Sequence, residues 1–128
     1  MTIRIVRLGT ARAAGEGLRI GTVRRPPRGV PKAKFASENW YDVWLPNVAP
    51  SDATVKLGQR AASKREWGAF VRHYRSEMAA PDASRVLDLL AALSHTTDFS
   101  VGCYCEDESR CHRSELRALL LARGAEVK

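Results

Sequence analysis

The run Phe99–Gly124, FSVGCYCEDESRCHRSELRALLLARG, constrains the fold more than any other stretch, because two hydrophobic periods meet within it. Phe99, Val101, Cys103 and Cys105 alternate with Ser100, Gly102 and Tyr104, the period-two pattern of a strand with one face against a core. Ser109 then reads as a helix N-cap, Leu116, Leu119 and Leu120 as a helical stripe, and Gly124 as its terminator. A strand, loop and helix in this order aim the helix's unpaired N–H groups at the space beyond the strand's carboxyl end. Arg110, Cys111, His112 and Arg113 fall in the expected first turn, so the unit is suited to holding an anion.

Upstream, Thr2–Leu8 alternates arginine with β-branched residues and predicts an opening strand, Gly9–Gly17 a loop, and Leu18–Arg24 a second strand. Pro26-Pro27 then stops both helix and ladder, making RRPPRG (Arg24–Gly29) a stiff connection that carries three arginines. From Val30 to Ser51 regular signals are few; Trp40, Tyr41 and Trp44 are the apolar anchors, and a short strand fits Tyr41–Leu45. Ser51 or Asp52 caps a brief helix reaching Leu57. Ser63 and Glu66 form a capping box before Trp67, Phe70, Val71, Tyr74 and Met78 at helical spacing, with Glu77 among the polar residues of that helix. Pro81 ends it, Asp82 is placed to cap the next, and Val86, Leu87, Leu90 and Leu93 face inward. The pattern predicts a single small α/β domain, residues 1–128, with a short, mainly parallel sheet flanked by helices.

At 128 residues and 45% hydrophobic content the chain is long enough to bury a core without staples. No apolar run approaches the ~20 residues that span a bilayer, and no signal-peptide pattern opens the sequence, so no membrane partner is expected. Three cysteines confined to one segment make no disulfide framework, which favours a cytoplasmic setting. The net charge of +7 is uneven: residues 1–34 carry nine basic side chains against Glu16 alone, whereas the remainder carries twelve against thirteen acidic. Such asymmetry attracts an anionic small molecule or nucleic acid, or is simply a solvated basic surface.

Four chemistries compete for the cysteine segment. Structural zinc sites use paired C-x-x-C knuckles, and C-x-C followed by C-H lacks that spacing, so no metal site is expected. A cysteine phosphatase loop needs arginine after five intervening residues, but Cys105 leads to Cys111 and Cys103 to Ser109. A reactive thiol without that cradle is a third reading, with Cys105 and His112 as candidate catalytic residues. The fourth is structural: buried cysteines act as small hydrophobes, and Arg113 pairs with the acidic loop. Arg24, Arg28, Ser109, Arg110 and Arg113 are the candidate ligand-binding residues.

GLRIGTVRRPPRG, Trp40, Ala49-Pro50-Ser51 and EWGAFVRHYRSEM, in this order, resemble the YeaO-like branch of the family called domain of unknown function four-eight-eight. The ending from Cys103 to Leu116, C-x-C, an acidic loop and C-H-R-x-x-L, is similar to that of other members. The resemblance implies a small α/β domain of bacterial type and supplies no reaction, cofactor or oligomeric state. Val23 and Pro26 stand where YeaO-like sequences tend to have Asp and Trp, while Arg19, Arg24, Arg28 and Gly29 match. The resulting expectation is an anion site between the Arg24–Gly29 loop and the Ser109–Arg113 segment. Its rivals are a non-catalytic nucleic-acid-binding module, with Trp40 or Trp44 stacking on bases, and a thiol redox sensor reacting at Cys105 or Cys111.

Overall fold

The computed structural model describes residues 1–128. Strands β1 (Ile3–Arg7), β2 (Leu18–Gly21), β3 (Val43–Trp44) and β4 (Phe99–Cys103) form an all-parallel sheet in the order β1-β4-β2-β3. Helices α1 (Asp52–Arg60), α2 (Lys64–Met78) and α3 (Pro81–Leu93) connect β3 to β4, and α4 (His112–Ala122) follows β4. This is the small α/β domain that the sequence pattern implies. No helix is long and apolar enough to cross a membrane.

The expected alternation of β4 is not observed, because all five of its residues are buried. Phe99 and Val101 join Phe70, Tyr74, Leu87, Leu116 and Leu120 in the main core. The opposite face is covered as well: Ser100 lies in register with Arg19, and its hydroxyl donates to Glu16 Oε2 at 2.7 Å. Arg19 is fully buried, donating to both carboxylate oxygens of Glu16 and to the carbonyls of Thr10 and Asn39. A buried ion pair therefore ties the loop before β2 to the central strand.

Helix boundaries follow local chemistry where the cap is local. Ser51 caps α1 by accepting from the Thr54 N–H, and Ser63 caps α2 by accepting from that of Glu66. Glu77 is not merely a solvated residue: its carboxylate accepts from the Ser51 amide, the Ser51 hydroxyl and the Thr54 hydroxyl, locking the end of α2 to the start of α1. The cap of α3 is Ala80, since Pro81 takes the first helical position and leaves Asp82 inside the first turn. Leu93 is exposed, unlike Leu87 and Leu90 on the inward stripe. Gly102 admits the close approach of β1, where an added Cβ would lie 2.5 Å from the Val6 carbonyl oxygen.

Candidate functional site

The carboxyl ends of β1, β2 and β4 open onto adjoining grooves, bounded on one side by α1. The largest, about 670 Å³, is lined by Arg7, Arg25, Arg28, Trp40, Gln59 and Tyr104 among others. A second, of about 290 Å³, shares Arg25, Gln59 and Tyr104 with it and adds Arg24, Cys103, Cys105 and His112. A third, of about 240 Å³, shares Gln59, Cys105 and His112 with the second and adds Trp67, Arg110 and Cys111. The RRPPRG connection and the cysteine segment are thus neighbours at one end of the sheet.

The candidate residues occupy distinct positions within this arrangement. Arg24 is half-buried and donates to the Ala49 and Pro50 carbonyls, while Arg25 pairs with Asp52 at 2.8 Å. Arg28 is exposed on the largest groove. Arg110 lies with its guanidinium carbon 5.0 Å from the centre of the Trp67 ring and donates to the Ala61 carbonyl. Arg113 is buried and donates to the Cys105 carbonyl, and its Nε is without a partner. The guanidiniums therefore do not gather at the start of α4. Those of Arg24, Arg110 and Arg113 hold backbone carbonyls, and Arg28 faces a groove that Arg7 and Arg25 also line.

Ser109 is not the cap of α4. Its amide and hydroxyl both bond to Asp107 Oδ1, at 2.9 and 2.7 Å, within a 3-10 turn over Glu108–Arg110. Asp107 outcompetes it because an aspartate two residues ahead closes a local ring, and α4 begins only at His112 with Cys111 as its extended N-cap residue. Arg110 and Cys111 accordingly precede the helix.

Cys105 is exposed and free, on the rim of the two smaller grooves. His112, by contrast, is buried behind them. Its Nε2–H donates to the Thr22 carbonyl at 2.7 Å, and its Nδ1 lies 3.7 Å from Cys111 Sγ. Burial pushes the imidazole pKa down to about 4, with the Arg113 charge acting in the same direction against the Thr22 bond. The ring is therefore neutral at pH 7, with the proton on Nε2. It stands 5.6 Å, centroid to centroid, from Tyr74. Cys103 and Cys111 are both buried, their sulfurs meet at 2.50 Å, and their Cα atoms are 7.9 Å apart. The sulfurs of Cys103 and Cys111 and a ring nitrogen of His112 all lie within 4.8 Å of one another.

Residue spacing does not reveal that trio, since Cys103 ends a strand and Cys111 is the N-cap residue of a helix eight residues later. The period-two pattern of β4 did carry a signal, because it put Cys103 on the inward face. Tyr104, Arg7 and Gln59 gave no sequence signal as groove residues. Tyr104 reaches its place through its hydroxyl, which donates to the Arg25 carbonyl at 2.8 Å.

Comparison with curated proteins finds no match, and comparison with solved structures finds none either. The family model described as the active DUF488-N3 subclade matches residues 3–124, a span that takes in all four strands, all four helices and the cysteine segment. The chain therefore belongs to the DUF488 family.

Proposed function

We propose that this domain binds a small phosphate-bearing ligand in the groove lined by Arg7, Arg25 and Arg28. The observation that carries the reading is the convergence of these three guanidinium side chains with Trp40 and Tyr104 at the carboxyl ends of parallel strands. Ligands of open α/β sheets collect at that end, and arginine suits phosphate because its planar fork donates in pairs. The groove volume of about 670 Å³ falls in the range of small-molecule pockets. Aromatic rings beside the arginines favour a ligand with a planar group, such as a nucleotide.

A small ligand is favoured over nucleic acid by how the basic residues are used. Of the nine in residues 1–34, Arg12 is paired with Asp42, Arg19 with Glu16, and Arg24 holds backbone carbonyls. Of the other six, Arg7, Arg25 and Arg28 line the groove, where Arg28 has no acidic partner, whereas Arg4, Lys32 and Lys34 lie outside its lining. Of the two residues singled out for chemistry, Cys105 lies exposed on the two smaller grooves that adjoin this one, whereas His112 is committed to Thr22 and Cys111.

Calorimetric titration with inorganic pyrophosphate, nucleoside phosphates and a single-stranded oligonucleotide tests the reading. Binding of a nucleotide that weakens about 10-fold or more in Arg28→Ala supports it, in line with a lost charge-assisted contact of about 1.5–3 kcal/mol. Failure of every phosphate compound to bind at low salt, or binding unchanged in both Arg28→Ala and Arg7→Ala, overturns it. Tight oligonucleotide binding with a steep salt dependence establishes the nucleic-acid reading instead.

A further inference from the structure

The cluster behind the smaller grooves is chemically unlike the groove itself: two cysteine sulfurs and an imidazole, all buried, with donor atoms within 4.8 Å of one another. We propose that Cys103, Cys111 and His112 form a three-ligand site for a thiophilic divalent cation of the zinc class, with its remaining coordination position turned toward the groove rimmed by Cys105. This goes beyond the anion-binding reading and does not depend on it.

Three observations support the assignment. The first is the spacing of the cysteines. Disulfides bridge Cα atoms about 4.4–6.8 Å apart and fail beyond about 7 Å without backbone movement, whereas Cys103 and Cys111 stand at 7.9 Å. Two thiolates on one ion stand farther apart than the sulfurs of a disulfide, which suits the longer Cα separation. Zinc bound at about 2.3 Å to sulfur and about 2.0 Å to nitrogen sets its donors roughly 3.3–3.8 Å apart, a spacing that the 3.7 Å between His112 Nδ1 and Cys111 Sγ matches.

The second is the orientation of the imidazole. Its Nε2–H is fixed on the Thr22 carbonyl, leaving the Nδ1 lone pair on the side of Cys111. A metal-binding histidine needs this arrangement, with one nitrogen donating to a carbonyl so that the other is free to coordinate. The Thr22 carbonyl is itself held in place, because the Thr22 amide and hydroxyl both donate to the Gly102 carbonyl, at 3.0 and 2.9 Å. The third is access. His112 borders both smaller grooves, Cys103 one of them and Cys111 the other, so the face of the cluster not occupied by protein donors opens outward. Two thiolates, a neutral imidazole and a dication form a set without net charge, which suits a buried position. Loading converts the thiols to thiolates and releases their protons.

Protein purified under reducing, oxygen-free conditions, stripped with a chelator and titrated with cobalt(II) provides the test. The expected result is a single equivalent bound with an intense thiolate-to-cobalt charge-transfer band, unchanged in Cys105→Ser and lost in Cys103→Ser and Cys111→Ser. Because substitution of either buried cysteine can alter folding, the wild-type spectrum and the Cys105→Ser spectrum are decisive together: the band in both establishes buried-thiolate ligation. A wild type that binds no cobalt, or binds it without the charge-transfer band, overturns the proposal. So does loss of the band in Cys105→Ser, and so does an untreated protein whose intact mass shows Cys103 and Cys111 joined with two hydrogens missing.

Discussion

Substituting Glu16 isolates the part of the stability that the buried ion pair contributes. The carboxyl is 3% exposed and its counter-ion Arg19 is fully buried. Burial pushes the Glu16 pKa up more than any single bond lowers it, but the Arg19 bond, the Ser100 hydroxyl, the Ala13 amide and the Arg19 charge together outweigh it, and the net value is about 2 against the ordinary 4.5. A folded-state pKa below the unfolded one stabilises the fold above the unfolded value and loses that stabilisation as pH falls through the folded value. The gap from 4.5 to about 2 corresponds to about 3 kcal/mol, present at pH 7 and dissipated between pH 4.5 and 2.

Urea unfolding followed by circular dichroism across that pH window is the assay. In Glu16→Gln the stability curve runs flatter than wild type by about 3 kcal/mol over the window, since this carboxyl no longer takes up a proton on unfolding. Arg19→Met at pH 7 leaves a buried carboxylate without its counter-ion and costs about 3–5 kcal/mol. Combining the two substitutions costs less than their sum, because the second removes a group that the first has already orphaned. Parallel pH curves for wild type and Glu16→Gln, or a cost below about 1 kcal/mol for Arg19→Met, would refute the reasoning.

Three other outcomes follow from the packing. Gly102→Ala places a methyl group 2.5 Å from the Val6 carbonyl oxygen, where backbone on both sides prevents relief; a loss of about 1–3 kcal/mol in thermal unfolding is expected, and a neutral result contradicts the β1–β4 register. Glu77→Ala removes the acceptor shared by the Ser51 amide and the Ser51 and Thr54 hydroxyls, costing about 2 kcal/mol, with faster amide exchange in α1 before any other helix. Brief treatment of the native protein with iodoacetamide labels Cys105 ahead of Cys103 and Cys111 in peptide maps, because it alone is exposed; equal labelling of all three contradicts the burial of the pair.

The features legible in the sequence are those set by neighbours a few residues away. Ser51, Ser63 and Gly124 announce their helix ends because the bonds or torsions concerned lie within one turn. The stripe Phe70, Tyr74 and Met78 is buried as its spacing requires. Ser109 shows how the same rule fails: Asp107, Ser109 and Cys111 all precede the helix, and propensity alone does not say which residue's polar group the chain uses first. Burial of the whole of β4 depends on a partner 84 positions away, the Ser100–Glu16 bond, which no local pattern encodes.

Charge is the property that sequence distance distorts most. Arg19 counts toward the basic excess of the front third, yet it lies in the interior and supports the sheet; Arg28, four residues after Arg24, faces the groove while Arg24 turns to backbone carbonyls. The segment Cys111-His112-Arg113 is divided in the same way. His112 turns toward Thr22 and the thiols, and Arg113 turns back to hold the Cys105 carbonyl. Successive residues at the start of a helix point about 100° apart, so adjacent letters serve different neighbours. The motif therefore acts as two devices: the histidine joins the buried thiols, and the arginine fixes the loop that presents the exposed one. A substitution at His112 should accordingly disturb the Cys103–Cys111 cluster before it disturbs the groove, and one at Arg113 should alter the presentation of Cys105 while leaving the cluster in place.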